Sequence, residues 1–281
     1  MMTVELRYYT DPACEWSWGA EPKLRRLMWE FGDAITPRWV MGGLAATLDR
    51  DDHVAHLAQW LEAAAETGMP CDPRLWLTNP ISSTYPACQA VRAACEQGPE
   101  GGYRYLRRLR EGLLCERRRL DHADALLAEA GPAGLDRERF EIDLRSHAIV
   151  EAFGADLDDV RDPSPAARAA GQVREIGRGL ERFTFPSALF TGDGGSAHGV
   201  FGSQPYEAYR EAAIAAGAVP RESRRLEPLE AIERFGRCAT RELEELAGRP
   251  RPVLEAELWA LAREWRLRPV PVLTGILWDA A

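Results

Sequence analysis

Apolar and polar positions alternate from Thr3 to Thr10, with Val4, Leu6 and Tyr8 on one side and Glu5, Arg7 and Tyr9 on the other. A period of two predicts a strand. Asp11-Pro12-Ala13 breaks it, and the period then lengthens. Trp18, Leu24, Leu27, Met28 and Phe31 predict one helix from near Cys14 to Phe31, stopped by Gly32. A second strand is predicted over Thr36 to Met41, ended by Gly42-Gly43. If the two strands are parallel neighbours, the helix is a right-handed crossover.

From Asp49 to Gly179 the pattern is helical throughout. It predicts helices over His53 to Thr67, Pro86 to Gln97, Tyr103 to Leu120, Asp121 to Ala130, Arg137 to Phe153 and Ser164 to Gly177. Strand signals return over Phe183 to Thr191, followed by a glycine-rich turn, a partner strand over His198 to Phe201 and a closing helix over Tyr206 to Gly217. The order predicts an α/β fold in three parts. One domain is assembled from residues 1–45 and 180–220, a large all-helical insertion spans 46–179, and a mostly helical extension spans 221–281. In that extension Leu229, Ile232, Phe235, Leu243 and Leu246 predict one amphipathic helix, and Leu254, Leu258, Leu261 and Trp265 another. Two short extended pieces follow around Thr274-Gly275. A helical cap and a small winged-helix-like module both fit this tail.

Composition is that of an ordinary globular chain: 281 residues, 46% hydrophobic and 28% charged. A net charge of −9 argues against a nucleic-acid partner, because phosphate binding needs a basic surface. No targeting segment and no apolar run long enough to span a bilayer is visible, so the expected location is cytoplasmic and no membrane partner is expected. The six cysteines have no metal-type spacing and are expected to be reduced thiols. His53 and His56 are three apart but have no third ligand, so no metal site is expected and a solvent-facing pair fits better. Cys88 and Cys95 share a helix face and read as core. The arginines between Arg104 and Arg119 read as a solvated basic face balanced by Glu111 and Glu116.

The densest local signal is Tyr9-Thr10-Asp11-Pro12-Ala13-Cys14-Glu15-Trp16-Ser17-Trp18-Gly19-Ala20-Glu21-Pro22. This segment resembles the active-site motif of the DsbA-like thioredoxin superfamily. The likeness is strongest to its cytosolic branch of FrnE-like dithiol-disulfide isomerases and ClpXP-protease adaptors, in which Cys-x-x-Cys is flanked by tryptophans. Here the second cysteine is replaced by Ser17. Asn79 to Ala87 resembles the family's segment in the helical insertion, and Gly202 to Tyr209 resembles its turn into the last helix. Phe185-Pro186-Ser187 resembles the loop bearing its cis-proline. The resemblance covers most of residues 1–217 and implies a thioredoxin-like fold.

Cys14 at the first turn of a helix after a strand meets free N–H groups and a partial positive charge, which favour thiolate. An acidic, nucleophilic Cys14 is therefore expected. A serine hydroxyl is too weakly acidic to release a mixed disulfide, so Ser17 is expected to hydrogen-bond the thiolate rather than resolve it. The expected catalytic residues are Cys14 and Ser17. The expected substrate-binding residues are Trp16, Trp18, Thr184, Phe185 and Pro186, the last three offering main chain to an extended substrate. Three functions remain open. The first is a thiol-disulfide oxidoreductase or isomerase acting through one cysteine, by mixed disulfide with a thiol- or disulfide-bearing protein or with glutathione. The second is a catalytically degenerate binding or protease-adaptor protein. The third is an enzyme like kappa-class glutathione transferases, whose nucleophile position resembles that of Cys14 but holds serine. No tightly bound cofactor is expected, and glutathione is the candidate co-substrate.

Overall fold

The computed structural model describes residues 3–177 and 179–281. Met1, Met2 and Arg178, which fall in the expected first domain and insertion, lie outside the described residues. The chain opens with β1 (Val4–Thr10), α1 (Glu15–Gly19), α2 (Glu21–Phe31) and β2 (Ile35–Met41). The insertion follows as α3 (His53–Thr67), α4 (Leu75–Thr78), α5 (Tyr85–Cys95), α6 (Pro99–Arg110), α7 (Ala123–Ala128), α8 (Arg137–Leu144), α9 (His147–Val160) and α10 (Pro165–Ala169). It closes on a hairpin of β3 (Val173–Glu175) and β4 (Glu181–Phe183). Then come β5 (Ser187–Thr191), β6 (Ala197–Phe201) and α11 (Tyr206–Ala215). The tail contributes α12 (Pro228–Phe235), β7 (Cys238–Ala239), α13 (Thr240–Ala247), α14 (Arg251–Arg263), β8 (Leu267–Val272) and β9 (Gly275–Ala280).

The central sheet runs β2-β1-β5-β6, with β1 parallel to β2 and antiparallel to β5. Strands from the two ends of the expected first domain therefore pair directly, Tyr8 opposite Ala188 and Leu6 opposite Phe190. Val4, Leu6 and Tyr8 are buried as the alternation requires, and Tyr9 is buried on the other face, where a second cluster gathers it with Val40, Phe183, Phe185 and Phe201. No helix of the described residues is long and apolar enough to cross a membrane.

Five local readings change. The single helix expected over Arg137 to Phe153 is two, α8 and α9, because the Ser146 side chain accepts the Ala148 N–H and caps a new helix there. The helix expected from Cys14 to Phe31 is broken at Ala20, because Pro22 lacks the N–H that would continue the ladder. The helix expected from Tyr103 is regular only to Arg110 and continues as a π-helical turn over Glu111–Cys115. Val173–Glu175, expected to end a helix, pairs instead with Glu181–Phe183, so Phe183 belongs to this hairpin and the central strand starts at Ser187. The first tail helix is two, separated by Gly236, where φ is +72°.

The tail's three helices pack with a three-stranded sheet ordered β7-β9-β8, so it is more than a helical cap. It has its own apolar core around Leu243, Leu254, Leu258 and Trp278. It meets the rest of the chain through buried charge. Glu242 of α13 accepts from Arg107 of α6 at 2.7 and 3.0 Å and lies 3.2 Å from Arg25 of α2. Arg107 also donates to Glu111 at 2.7 Å, and Arg110 pairs with Glu21. Of the arginines expected on a solvated face, Arg107 and Arg110 are instead buried in an internal network and Arg108 reaches Glu116 and Glu129, while Arg104, Arg117 and Arg119 are exposed as expected. Losing one partner of such a buried set costs about 3–5 kcal/mol, because the other charge is left uncompensated.

Candidate functional site

The site begins at the C-terminal end of β1. Asp11 is fully buried and accepts from four donors: the N–H groups of Ala13 (2.8 Å) and Leu44 (2.8 Å), the Thr84 hydroxyl (2.9 Å) and the Cys88 thiol (3.3 Å). Burial nonetheless holds its carboxyl above the usual range. One carboxylate thus folds the loop before Cys14, pins the segment after β2 and docks the insertion. Cys88 serves this network rather than filling core alone.

Cys14 is the N-cap residue of α1, and its Sγ accepts the N–H of Ser17 at 3.4 Å. The thiol is only 3% exposed. Burial pushes it up to about 12, the nearby Glu15 charge adds to this, and the Ser17 donor opposes it. The expected acidified thiol is therefore not found. The helix start does supply its donor, but desolvation of the anion outweighs one hydrogen bond. Ser17 is fully buried, and among the described residues its Oγ has no hydrogen-bond partner. The structure thus puts Cys14 and Ser17 side by side, with no second thiol on this turn.

The Phe185–Pro186 peptide is cis. The Phe185 ring lies against Gly42, where a Cβ would collide with it, so glycine there lets the loop close over the sheet. Thr184 donates its N–H to Gln172 O at 3.1 Å, which ties the loop to the base of the hairpin. The Phe183 ring is 4.5 Å from Tyr9 and 5.9 Å from Phe201. The hairpin is thereby fixed beside Cys14.

A cleft of about 570 Å³ opens between these elements and the insertion. Cys14, Trp16, Thr184 and Phe185 line it, as expected of substrate-binding positions. Trp18 does not. It is buried in the main core, donates to Pro70 O at 2.8 Å and carries the Arg107 guanidinium 4.3 Å over its ring. Two residues after Trp16 on a helix of 3.6 residues per turn, it points to the side of α1 away from the cleft. Pro186 is buried and shapes the loop without lining the cleft.

The remaining wall comes from residues that the motif did not indicate. His56, Trp60 and Trp76 form its aromatic side, with His56 4.6 Å and His53 5.8 Å from the Trp76 ring. The two histidines are half-buried aromatic neighbours instead of a solvent-facing pair. Arg174 and Arg182 come from the hairpin. Arg182 stacks 4.5 Å over the Phe185 ring, and burial lowers its pKa. Among the described residues no group of three or more His, Cys, Asp or Glu is placed to hold a metal ion.

A family model described as thioredoxin matches residues 8–162. The ClpXP adapter protein SpxH of Halalkalibacterium halodurans is 33% identical over 170 residues, covering 57% of this chain and 55% of that protein. The chain thus spans about half the length of this curated relative. SpxH of Bacillus licheniformis is 28% identical over 279 residues, 98% of this chain and 88% of that protein. Among solved structures, the cytosolic disulfide reductase DsbM of Pseudomonas aeruginosa covers 75% of this chain and 98% of its own, with TM-score 0.58 and 22% identity. The same protein has also been solved with GSH, at TM-score 0.53 and 22% identity over 75% of this chain and 99% of its own.

Proposed function

Because this chain belongs to the thioredoxin family, we propose that it is a binding protein of adapter type, which holds a protein partner in the Cys14 cleft. The observation that carries this reading is the Cys14–Ser17 turn. One thiol is buried, its acidity lowered by that burial, and its sulfur accepts the N–H of the residue that would have to resolve it. Dithiol turnover needs a second thiol at that point, and a serine hydroxyl does not leave or attack as a thiolate does. What the cleft retains is the means to bind: aromatic walls and the loop of Thr184 and Phe185. The similarity to adapter proteins for ClpXP, which in one case runs through the tail, supports the same reading.

The test has two arms. A photoreactive residue in place of Leu48, on the cleft wall, identifies the partner. Degradation of that partner by ClpXP is then followed with the full chain added. We expect acceleration that is lost when Ala45→Trp fills the cleft and kept in Cys14→Ser. Acceleration lost in Cys14→Ser, or kept in Ala45→Trp, would contradict the reading.

A second reading is favoured by the position of Cys14 itself, on the cleft floor beside Arg182. Here Cys14 acts as a monothiol toward glutathione disulfide. Its thiolate attacks one sulfur, a Cys14–glutathione mixed disulfide forms and glutathione thiolate leaves. The high thiol pKa makes this slow near neutrality. The native-state alkylation rate of Cys14 should rise with pH and show no plateau up to pH ~10, past the range of a free thiol. A midpoint below that of free cysteine would favour the monothiol reading over the adapter one.

A further inference from the structure

We propose that the segment held in the Cys14 cleft is an extended stretch of protein carrying an acidic side chain, gripped by Arg174 and Arg182; this rests on the protein-binding reading of the same cleft. The two arginines are direct cross-strand partners in the β3–β4 hairpin. Like charges placed opposite one another destabilise a strand pair. The fold does not offset this cost, since neither arginine has a carboxylate within ion-pair distance among the described residues. By contrast Arg168, beside the same hairpin, pairs with Glu181 at 3.0 Å. Both unpaired arginines line the cleft.

Arg182 is set up for a planar anion. Its guanidinium lies over the Phe185 ring at 4.5 Å, Nη1 donates to Phe183 O at 2.7 Å, and the buried Nε has no partner among the described residues. A guanidinium stacked on an aromatic face keeps its in-plane N–H groups free for a carboxylate. The carboxylates that share the cleft, Glu15 and Glu62, leave the hairpin as its positive wall. With the whole chain at −9, the rest of the surface disfavours an acidic segment, and the hairpin gives it one place to settle.

The register follows from continuity. Arg182 lies three residues before Phe185 in the chain, and the Phe185 N–H and C=O make no hydrogen bond among the described residues. An extended segment pairing with that main chain advances about 3.3 Å per residue. An Asp or Glu one or two positions from the pairing residue therefore reaches the arginines. The chemistry recognised is a carboxylate within an extended backbone, and the source proposed is a protein side chain.

A random-sequence peptide display library is selected on the full-length protein. We expect retained peptides to carry Asp or Glu at one fixed position, and Asn or Gln there to weaken binding about tenfold or more. The Arg174→Gln/Arg182→Gln variant should erase that difference, and added salt should shrink it. Arg174 is exposed, so Arg174→Glu alone provides a second variant with no buried contact to lose. It should shift the preference toward Lys and Arg. Selected peptides that are blocked by Ala45→Trp but show no acid preference would overturn this proposal and leave the protein-binding reading standing. An acid preference that persists in the double variant would do the same. If no peptide is retained by the wild type over Ala45→Trp, the binding reading itself falls. Reduced glutathione that binds in an arginine-dependent way, with no acid enrichment among peptides, would assign the carboxylate to a small thiol and overturn the proposal.

Discussion

At the seam between the tail and the rest of the chain, Arg25, Arg107 and Arg110 are buried, and each meets a carboxylate of Glu21 or Glu242. In the cleft, Arg174 and Arg182 are cross-strand partners and, among the described residues, meet none. The seam arginines are buried, Arg182 is half-buried and Arg174 is exposed, yet only the seam satisfies its cations from within. A network that is complete in the isolated chain has a structural task, and its cost is met by its own partners. A pair left open beside a cleft marks where a missing partner belongs. The same contrast separates two neighbouring residues of the motif. Trp18 is spent on the seam, under Arg107, while Trp16 remains in the cleft.

The largest effect should come from breaking the complete side. Glu242→Ala leaves Arg107 and Arg25 facing each other in the interior. We expect a loss of about 3–5 kcal/mol in denaturant unfolding. Hydrogen exchange should rise first in residues 226–281. A loss under about 1 kcal/mol would mean that the seam is held by apolar contact alone.

Sequence pattern reaches the complete side poorly and the central sheet well. The alternation of Val4, Leu6 and Tyr8, the strands around Leu189 and Val200, and the helix from Tyr206 are local signals, and each element forms close to where its period places it. Cys14, Ser17, Trp16 and the Thr184-Phe185 loop stand together because strand order follows from the motif. Arg107 and Arg110 are different. A charged residue on a helix looks solvated unless one knows that Glu21 and Glu242 fold onto it from 86 and 135 positions away. The arginine hairpin escapes notice for another reason. Its strands have three residues each, too short for a period of two to show. For the Cys14 thiol, sequence shows the helix start that would acidify it but not the burial that opposes it.

Asp156 of α9 gives a smaller and pH-dependent effect. Its Oδ2 accepts the Met41 N–H at 2.9 Å and lies 3.5 Å from Arg92, joining the insertion to the end of β2. Burial pushes its carboxyl up to about 6, against the lowering effect of Arg92. A raised folded-state value means that the folded form holds the proton more tightly. Its contribution is therefore full below the unfolded value near 3.8 and is lost as pH rises through about 6. Asp156→Asn keeps an acceptor for Met41 and removes the charge. Relative to wild type it should gain stability between pH ~4 and ~7, by about 3 kcal/mol at most. A difference independent of pH would show that Arg92 fully compensates the carboxylate.

Ser17→Cys should alter stability least, by about 1 kcal/mol or less, since serine and cysteine are close in shape and the loop closed is very short. Its chemical effect is the sharper one. Residue 17 already places its N–H 3.4 Å from the Cys14 sulfur. Mild oxidation should link positions 14 and 17 in one peptide by mass spectrometry, restoring a dithiol site. A folded variant that never forms this bridge would mean that the two side chains diverge on the first turn of α1.

Turnover by the unaltered chain separates a cleft that binds from one that catalyses. Reduction of insulin disulfides is followed with glutathione as the only regenerating thiol, for wild type and Cys14→Ser side by side. We expect the two to be indistinguishable from each other and from the reaction without protein, because the single buried thiol has no resolving partner. Sustained wild-type turnover that disappears in Cys14→Ser would contradict this and make the Cys14 cleft an oxidoreductase active site.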